Sequence, residues 1–263
     1  MAIFNSQKTE KFLFGFLLFT LFWLPLSLGA NRPWAWALMQ MSLFSIGGTL
    51  VLLNTSLLHQ LYTKYRIFII LWVIFLAWQL INIVPLPFAL VEAIRPERVS
   101  YFLSEQWGNQ ENVTSKWLSL SFDVGQSDVI FFKSLAYCFL FFIALTLINS
   151  AKRLRYTLIV ISAAGIFQAI YGALEVLSGI KYSLVFKQPV SHIATGSYIY
   201  KNHYANFLML CLSAAIGYLI ASLHQDNTTS KRERLRRLVK FWLSNKVLFR
   251  IGIIIMVIAL VMS

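Results

Sequence analysis

The sequence predicts an all-α, polytopic bundle of about seven transmembrane helices whose N-terminus lies in the cytoplasm. Three observations predict it: the length of the apolar runs, the scarcity of charge within them, and the division of Lys and Arg between the links. A helix needs about 20 mostly apolar residues to cross a hydrocarbon layer of about 30 Å. The runs form a single membrane domain and lie near 12–28, 34–53, 67–84, 129–148, 156–177, 204–223 and 247–262.

The composition excludes a soluble enzyme and a nucleic-acid-binding protein. Apolar residues make up 58% of the chain and charged residues only 13%, whereas soluble domains carry about 25% charged residues. The net charge of +13 lies mostly in the links. The runs are apolar on all sides, which favours helices over barrel strands, where apolar and polar residues alternate.

The two cysteines give no sign of a disulfide or a metal site. Cys138 and Cys211 both lie inside predicted spans, where a free cysteine behaves as a small apolar residue. We therefore predict no disulfide, no metal and no cofactor.

The orientation follows from the positive charges, since cytoplasmic links carry an excess of Lys and Arg. Of the 23 Lys and Arg residues, 15 fall on the inner side and 8 on the outer side if the N-terminus is cytoplasmic. Lys8 and Lys11, followed by an apolar stretch and the small residues Ser27 and Gly29, also suit a cleaved signal peptide. Pro25 and the length of the first run favour a retained helix.

Two links contain amphipathic segments. The outer loop, 85–128, carries one that is broken at Pro96 and that lies on the outer leaflet, caps the bundle or is a solvated linker. The inner segment, 231–246, is basic and amphipathic, which indicates binding to anionic lipid of the inner leaflet. A docking helix for a cytoplasmic partner is the alternative there.

Polar residues inside a membrane are costly, so they tend to pair helices or to carry function. Gln168 and Glu175 lie seven residues apart in the fifth span, on one face with Tyr171 and Gly172. They are the polar intramembrane candidates. The alternative for Glu175 is that it reaches water at the outer interface.

The link before the sixth span is the candidate phosphate site. Asn202 is placed to cap the helix, with Lys201 and His203 beside it. A helix N-terminus with a neighbouring cation suits a phosphate group, and Arg32 in the first outer link supplies a second cation. The alternative is a capped helix whose Lys201 reaches lipid headgroups.

Several segments together resemble the bacterial O-antigen ligase and polymerase superfamily. They include the Asn-His-aromatic-Ala signature of the sixth span and follow one another in the family's order along the chain. The segments are Gly29-Ala30-Asn31-Arg32-Pro33-Trp34, Trp78-Gln79 through Pro85-Leu86-Pro87, Ser119 to Asp123, Tyr171 to Glu175 with Ser178-Gly179, and Lys201 to Ala205.

The resemblance implies an inner-membrane glycosyltransferase of many helices. Such proteins take a glycan from an undecaprenyl pyrophosphate carrier on the periplasmic side and transfer it to lipid A–core, to another glycan chain or to a protein. Basic residues hold the pyrophosphate, for which we expect Arg32, Lys201 and His203 to serve with the helix start at Asn202. A histidine in a large loop of the second half supplies the base, and no metal takes part.

The family has about twice as many helices, and no residue here matches its later histidine loop. We therefore expect the 263-residue chain alone to be inactive as a transferase. Two alternatives stay open. The first is a non-catalytic membrane subunit or scaffold of a polysaccharide assembly system, which agrees with a chain that has only about half of the family's helices. A lipid or solute transporter would show internal repeats and broken helices with paired charges, which the sequence lacks.

The topology is testable with reporter fusions. Fusions after Gly125 and after Lys187 should report the periplasm, and a fusion after Asn227 should report the cytoplasm, because the 15-to-8 division of positive charge fixes the orientation. A cytoplasmic signal at Gly125 would contradict the assignment.

Overall fold

A computed structural model describes residues 6–53, 56–105, 117–183, 185, 187, 193–223 and 247–263. Within these ranges the chain is almost entirely helical. The helices are α1 Ser6–Leu26, α2 Pro33–Leu53, α3 Leu57–Ile83, α4 Phe88–Ile94, α5 Pro96–Glu105, α6 Val124–Leu147, α7 Ala151–Leu177, α8 Lys201–Leu223 and α9 Val247–Val261, with a short 3-10 turn at Leu28–Ala30.

The predicted fold class is confirmed. In the described part of the chain, α1, α2, α3, α6, α7 and α8 are long and apolar enough to cross a membrane, and α9 is a shorter apolar helix. The chain is therefore an all-α, multi-pass membrane protein. The basic segment 231–246 lies outside the described residues, so its predicted binding to lipid stays a prediction.

Several helices begin earlier than the apolar runs. α3 starts at Leu57 rather than 67, α6 at Val124 rather than 129, and α7 at Ala151 rather than 156. Hydropathy marks only the part of a helix that suits hydrocarbon, whereas polar first turns continue the helix beyond it. The Ser150 side chain caps α7 by accepting a hydrogen bond from the amide of Arg153.

The first helix ends earlier than predicted, at Leu26 rather than 28. Leu28, Gly29 and Ala30 all have positive φ, between 55° and 62°. This left-handed turn cannot continue a right-handed helix. Only glycine adopts that conformation without steric cost, which explains the central Gly29.

The chain divides into two compact units. Unit 1 contains 1–42 and 145–263, and unit 2 contains 43–144. In unit 1, α7 packs against α1, α8 and α9. Glu10, near the start of α1, forms an ion pair of 2.6 Å with Arg153, near the start of α7. Pro25, near the end of α1, bonds to Gln168 further along α7, so these two helices run in the same direction.

Gly165, Ala169 and Ala173 recur at every fourth position of the sequence, which predicts that α7 packs closely against its neighbours, and small residues on α7 do allow this close packing. A side chain at Gly165 would collide with Cys211 of α8 and Met256 of α9, and one at Gly252 of α9 would collide with Ile166. Ser213, Gly217 and Ala221 also recur at every fourth position of the sequence, which predicts a small-residue packing face on α8. That prediction is wrong. Gly217 has open space around it, and Cys211 and Ala215 are the buried small residues of α8 instead.

Unit 2 contains α3, α6, the second half of α2 and the folded outer loop. In this loop, strands β1 (Leu86–Pro87) and β2 (Trp117–Leu118) form an antiparallel pair. Helices α4 and α5 meet at Pro96, where the break was predicted. A small core of Val91, Val99, Leu118 and Leu120 lies beneath them, so a plain solvated linker is excluded for the described part of the loop.

The packing of α7 is testable with a matched pair of glycine substitutions. Gly165→Ala should lower the apparent melting temperature in detergent by about 4 °C or more, because overpacking costs about 1–3 kcal/mol. Gly217→Ala, in open space, should leave it within about 1 °C or raise it slightly. Equal melting temperatures for both variants would show that α7 and α8 do not approach as closely as described.

Candidate functional site

Gln168 is the centre of a buried hydrogen-bond network in unit 1. Its Nε2 donates to the carbonyl oxygen of Pro25 at 2.8 Å and to Ser197 Oγ at 2.6 Å. Its Oε1 accepts from the amide of Ser197 at 3.0 Å. Gln168 itself is fully buried, so one side chain ties the end of α1, the middle of α7 and the link before α8.

The network exists because α1 ends inside this packed region. The last carbonyls of a helix lack intrahelical partners, and an unpaired buried carbonyl costs about 1–3 kcal/mol. Pro25 contributes such a carbonyl, which Gln168 and Ser197 both satisfy; Ser197 Oγ donates to it at 2.9 Å.

Two glycines allow the link before α8 to reach Gln168. A Cβ at Gly196, whose φ is +54°, would lie 2.6 Å from Gln168 Oε1. A Cβ at Gly172 of α7 would lie 2.8 Å from the hydroxyl of Tyr204 and 2.9 Å from the amide nitrogen of Gly196. The fully buried Tyr204 donates its hydroxyl hydrogen to the carbonyl of Gln168 at 3.3 Å.

Glu175 lies on the same buried face of α7, as predicted. Only 2% of its surface is exposed, so the alternative in which it reaches interface water is wrong. Its Oε1 contacts no hydrogen-bond donor within the described ranges, while the carboxylate interacts with the hydroxyl of Tyr171, one turn earlier. Tyr171 in turn shares a 2.7 Å hydrogen bond with Ser183.

The four predicted phosphate-binding residues are all exposed: Arg32, Lys201, Asn202 and His203. The prediction that Asn202 caps α8 is wrong. The helix begins at Lys201, and the carbonyl of Tyr200 accepts the amides of His203 and Tyr204, each at 3.2 Å. Asn202 therefore lies within the first turn.

The first link and the link before α8 do meet. A Cβ at Gly29 would lie 2.5 Å from the ring of Tyr198. Arg32 follows Gly29 by three residues, and Lys201 follows Tyr198 by three residues. Both cations are thus three residues along the chain from one contact. Binding of a common pyrophosphate by their side chains stays a prediction. Burial raises the pKa of Tyr198 above its ordinary value.

Unit 2 contains a second site, which the sequence did not predict. An open cleft of about 420 Å³ lies where α3 and the start of α6 meet the outer loop. Such a volume is within the range of small-molecule sites, about 300–1,000 Å³. Its walls include two aromatic rings, one cation, one carboxylate and several amide and hydroxyl groups, among them Trp78, Gln79, Arg95, Phe122, Asp123 and Ser127.

Asp123 and two serines fix the wall of this cleft that faces α6. Asp123 Oδ1 accepts the amide of Gln126 at 2.9 Å, which caps the first turn of α6. Ser121 and Ser127 share a 2.7 Å hydrogen bond. The amide of Ser121 donates to the carbonyl of Asn82 at 3.0 Å, which joins the loop to the end of α3.

Two arginines contact the ring of Phe122, which also lines the cleft. Arg95 Nη1 donates to the carbonyl of Leu120 at 2.9 Å, and Arg98 Nε donates to the carbonyl of Ser121 at 2.9 Å. Their guanidinium carbons lie 5.3 Å and 5.5 Å from the centre of the Phe122 ring. Arg98 is buried and has a structural role, whereas Arg95 is exposed and lines the cleft.

Neither site holds a recognisable metal cluster. Within the described ranges, no three His, Cys, Asp or Glu side chains come close enough together to bind a metal ion. Comparisons with models of protein families, with curated proteins and with solved structures find no match to this chain.

The Gln168 network is testable through stability. Gln168→Leu should lower the free energy of unfolding by about 3 kcal/mol, because it leaves the Pro25 carbonyl and the Ser197 amide with fewer partners. Gln60→Leu, which removes an exposed hydrogen bond of α3 to Ser56, should change it by less than about 0.5 kcal/mol. Similar melting temperatures for the two variants would contradict the structural role of Gln168.

Proposed function

We propose that this chain belongs to an inner-membrane glycosyltransferase of the O-antigen ligase and polymerase type in a bacterium. In this proposal it takes a glycan from an undecaprenyl pyrophosphate carrier on the periplasmic side, and the acceptor is a glycan chain or lipid A–core. The chain supplies helices and links that bind the donor. It uses no metal.

One observation supports the proposal most strongly. The segments that resemble the family are scattered along the sequence, yet they gather in two clusters, one in each unit. Gly172 and the start of α8 contact the Gln168 network, and Gly29 packs on Tyr198, next to Ser197 of that network. Trp78, Gln79 and the stretch from Ser121 to Asp123 line the cleft. Several of the segments that resemble the family are therefore neighbours in the folded chain and not isolated matches.

The donor's pyrophosphate would be held in unit 1, beside the contact of Gly29 with Tyr198. There Arg32 and Lys201 are both exposed, and α8 begins with amides that lack intrahelical partners. A doubly charged anion is stabilised by cations and by a helix N-terminus together. Arginine additionally binds a phosphate through two parallel hydrogen bonds.

A non-catalytic membrane subunit of a polysaccharide assembly system is the second candidate. The observation that favours it is the burial of Gln168 and Glu175. Protein covers these two polar side chains, which suits a role in holding the helices together. General acid–base catalysis, in contrast, needs a group within reach of a substrate proton.

The proposal is testable by disrupting the gene in its host and restoring it with variants. Disruption should abolish attachment or polymerisation of a surface polysaccharide, measured on stained gels of cell-envelope extracts. Arg32→Gln and Lys201→Gln should each restore less than about a tenth of the product, since hydrogen bonds to charged groups contribute about 1.5–3 kcal/mol. Protein level, followed by immunoblot, should stay near that of the wild type.

Lys181→Gln is the matched control, because Lys181 is also exposed and lies in the link after α7. It should restore the product fully. Unchanged polysaccharide after disruption would overturn the proposed function. Parallel loss of product and of protein level would show that Arg32 and Lys201 serve folding rather than donor binding.

A further inference from the structure

The cleft of unit 2 has features that internal packing does not explain. Trp78, with 62% of its surface exposed, and Phe122, with 46%, form apolar walls. An exposed Trp near the end of a span also serves as an anchor at the membrane interface. An interface anchor, however, does not require the acceptor groups that lie beside this ring.

The most informative of these acceptors is the amide of Gln79. Its Nε2 donates to Ser134 at 3.0 Å, while its Oε1 is buried and contacts no donor in the part of the chain that the structure describes. A buried acceptor without a donor destabilises the folded chain. Because Gln79 lines the cleft, a ligand that supplies an O–H or N–H group would remove this cost.

Asp123 adds acceptor capacity to the same cleft. Capping of α6 uses Oδ1 for the amide of Gln126. A carboxylate has about four lone-pair sites, so the rest of the group is available to a ligand. Acceptors next to aromatic walls suit a ligand that has several hydroxyl donors and an apolar face, which is the character of a sugar ring.

Arg95 favours a ligand that carries a negative charge. It uses Nη1 for the carbonyl of Leu120 and keeps most of its five N–H donors. The ring of Phe122 and that carbonyl hold the guanidinium in place. A fixed guanidinium with spare donors favours an anionic group, which it binds through charge-assisted hydrogen bonds.

We propose that this cleft binds a single pyranose ring that bears an anionic group, with the ring against Trp78, its hydroxyls on Gln79 and Asp123, and the anion on Arg95. The inference rests on the proposed function for the biological source of the sugar. That source is either the phosphate-bearing sugar of the donor or an acidic sugar of the acceptor.

The test is a binding measurement on the full chain in lipid nanodiscs by saturation-transfer-difference NMR. The probes are glucose 1-phosphate, glucuronic acid, glucose and inorganic phosphate. Glucose 1-phosphate or glucuronic acid should bind saturably and at least about tenfold more tightly than glucose or phosphate alone, which corresponds to about 1.4 kcal/mol. The tighter of the two anionic sugars identifies the source.

Three variants separate the contributions. Arg95→Gln should weaken the anionic sugars about tenfold and leave glucose unchanged. Trp78→Ala should weaken every sugar about tenfold. Asp123→Asn, which preserves the helix cap because Asn caps as well as Asp, should weaken every sugar severalfold. Arg66→Gln and Phe75→Ala, at exposed positions of the same helix α3, are the controls and should change nothing.

The inference is overturned if no probe binds saturably, if phosphate binds as tightly as glucose 1-phosphate, or if Arg95→Gln leaves the preference for anionic sugars intact. Its failure is separable from that of the proposed function. Loss of polysaccharide on gene disruption without sugar binding would reject the cleft alone. Sugar binding with unchanged polysaccharide would reject the transferase proposal alone.

Discussion

The packing of unit 1 depends on one side chain, Gln168, which is fully buried and satisfies backbone groups of two other segments. A span inside a bilayer must satisfy every backbone polar group internally, and the end of α1 leaves the Pro25 carbonyl without a helical partner. Gln168 reaches it from α7 and reaches the amide of Ser197 with its other end. Because the amide side chain offers both a donor and an acceptor, it joins two segments that could not pair with each other.

The Gln168 hydrogen bonds require the backbone of the link before α8 to lie close to α7 and to the first link. Glycine residues permit this close approach. The link before α8 passes α7 at Gly172, turns at Gly196 and packs Tyr198 on Gly29. Any side chain at Gly196 would collide with the Gln168 oxygen that accepts the Ser197 amide. The hydrogen bonds and the close packing are therefore one constraint, and a change in either is expected to disturb both.

The sequence predicts the spans well because the membrane itself determines them: length and apolar composition decide whether a helix can cross. It predicts helix ends less well. Asn202 has the residue type of a cap, yet the chain turns at Tyr200 because Tyr204 must be buried against α7. Spacing likewise predicts a small-residue face on α8, but only the partner helix decides which face is used, and Cys211 and Ala215 supply it.

The cleft escaped prediction because its residues are separated along the chain and ordinary in isolation. Taken alone, Trp78 is typical of an interface anchor and Asp123 of a helix cap. Arg95 is one of several charged residues in the outer loop. Only the folded loop, through its strand pair and the bond from Ser121 to Asn82, places them around one space. The contrast with unit 1 is chemical. There the amide of Gln168 is satisfied by the chain at both ends, whereas the oxygen of the Gln79 amide has no donor among the residues that the structure describes. An amide whose donor and acceptor are both satisfied by the chain stabilises the fold. An unsatisfied amide oxygen of a residue that lines a cleft is a place where a ligand can add stabilisation.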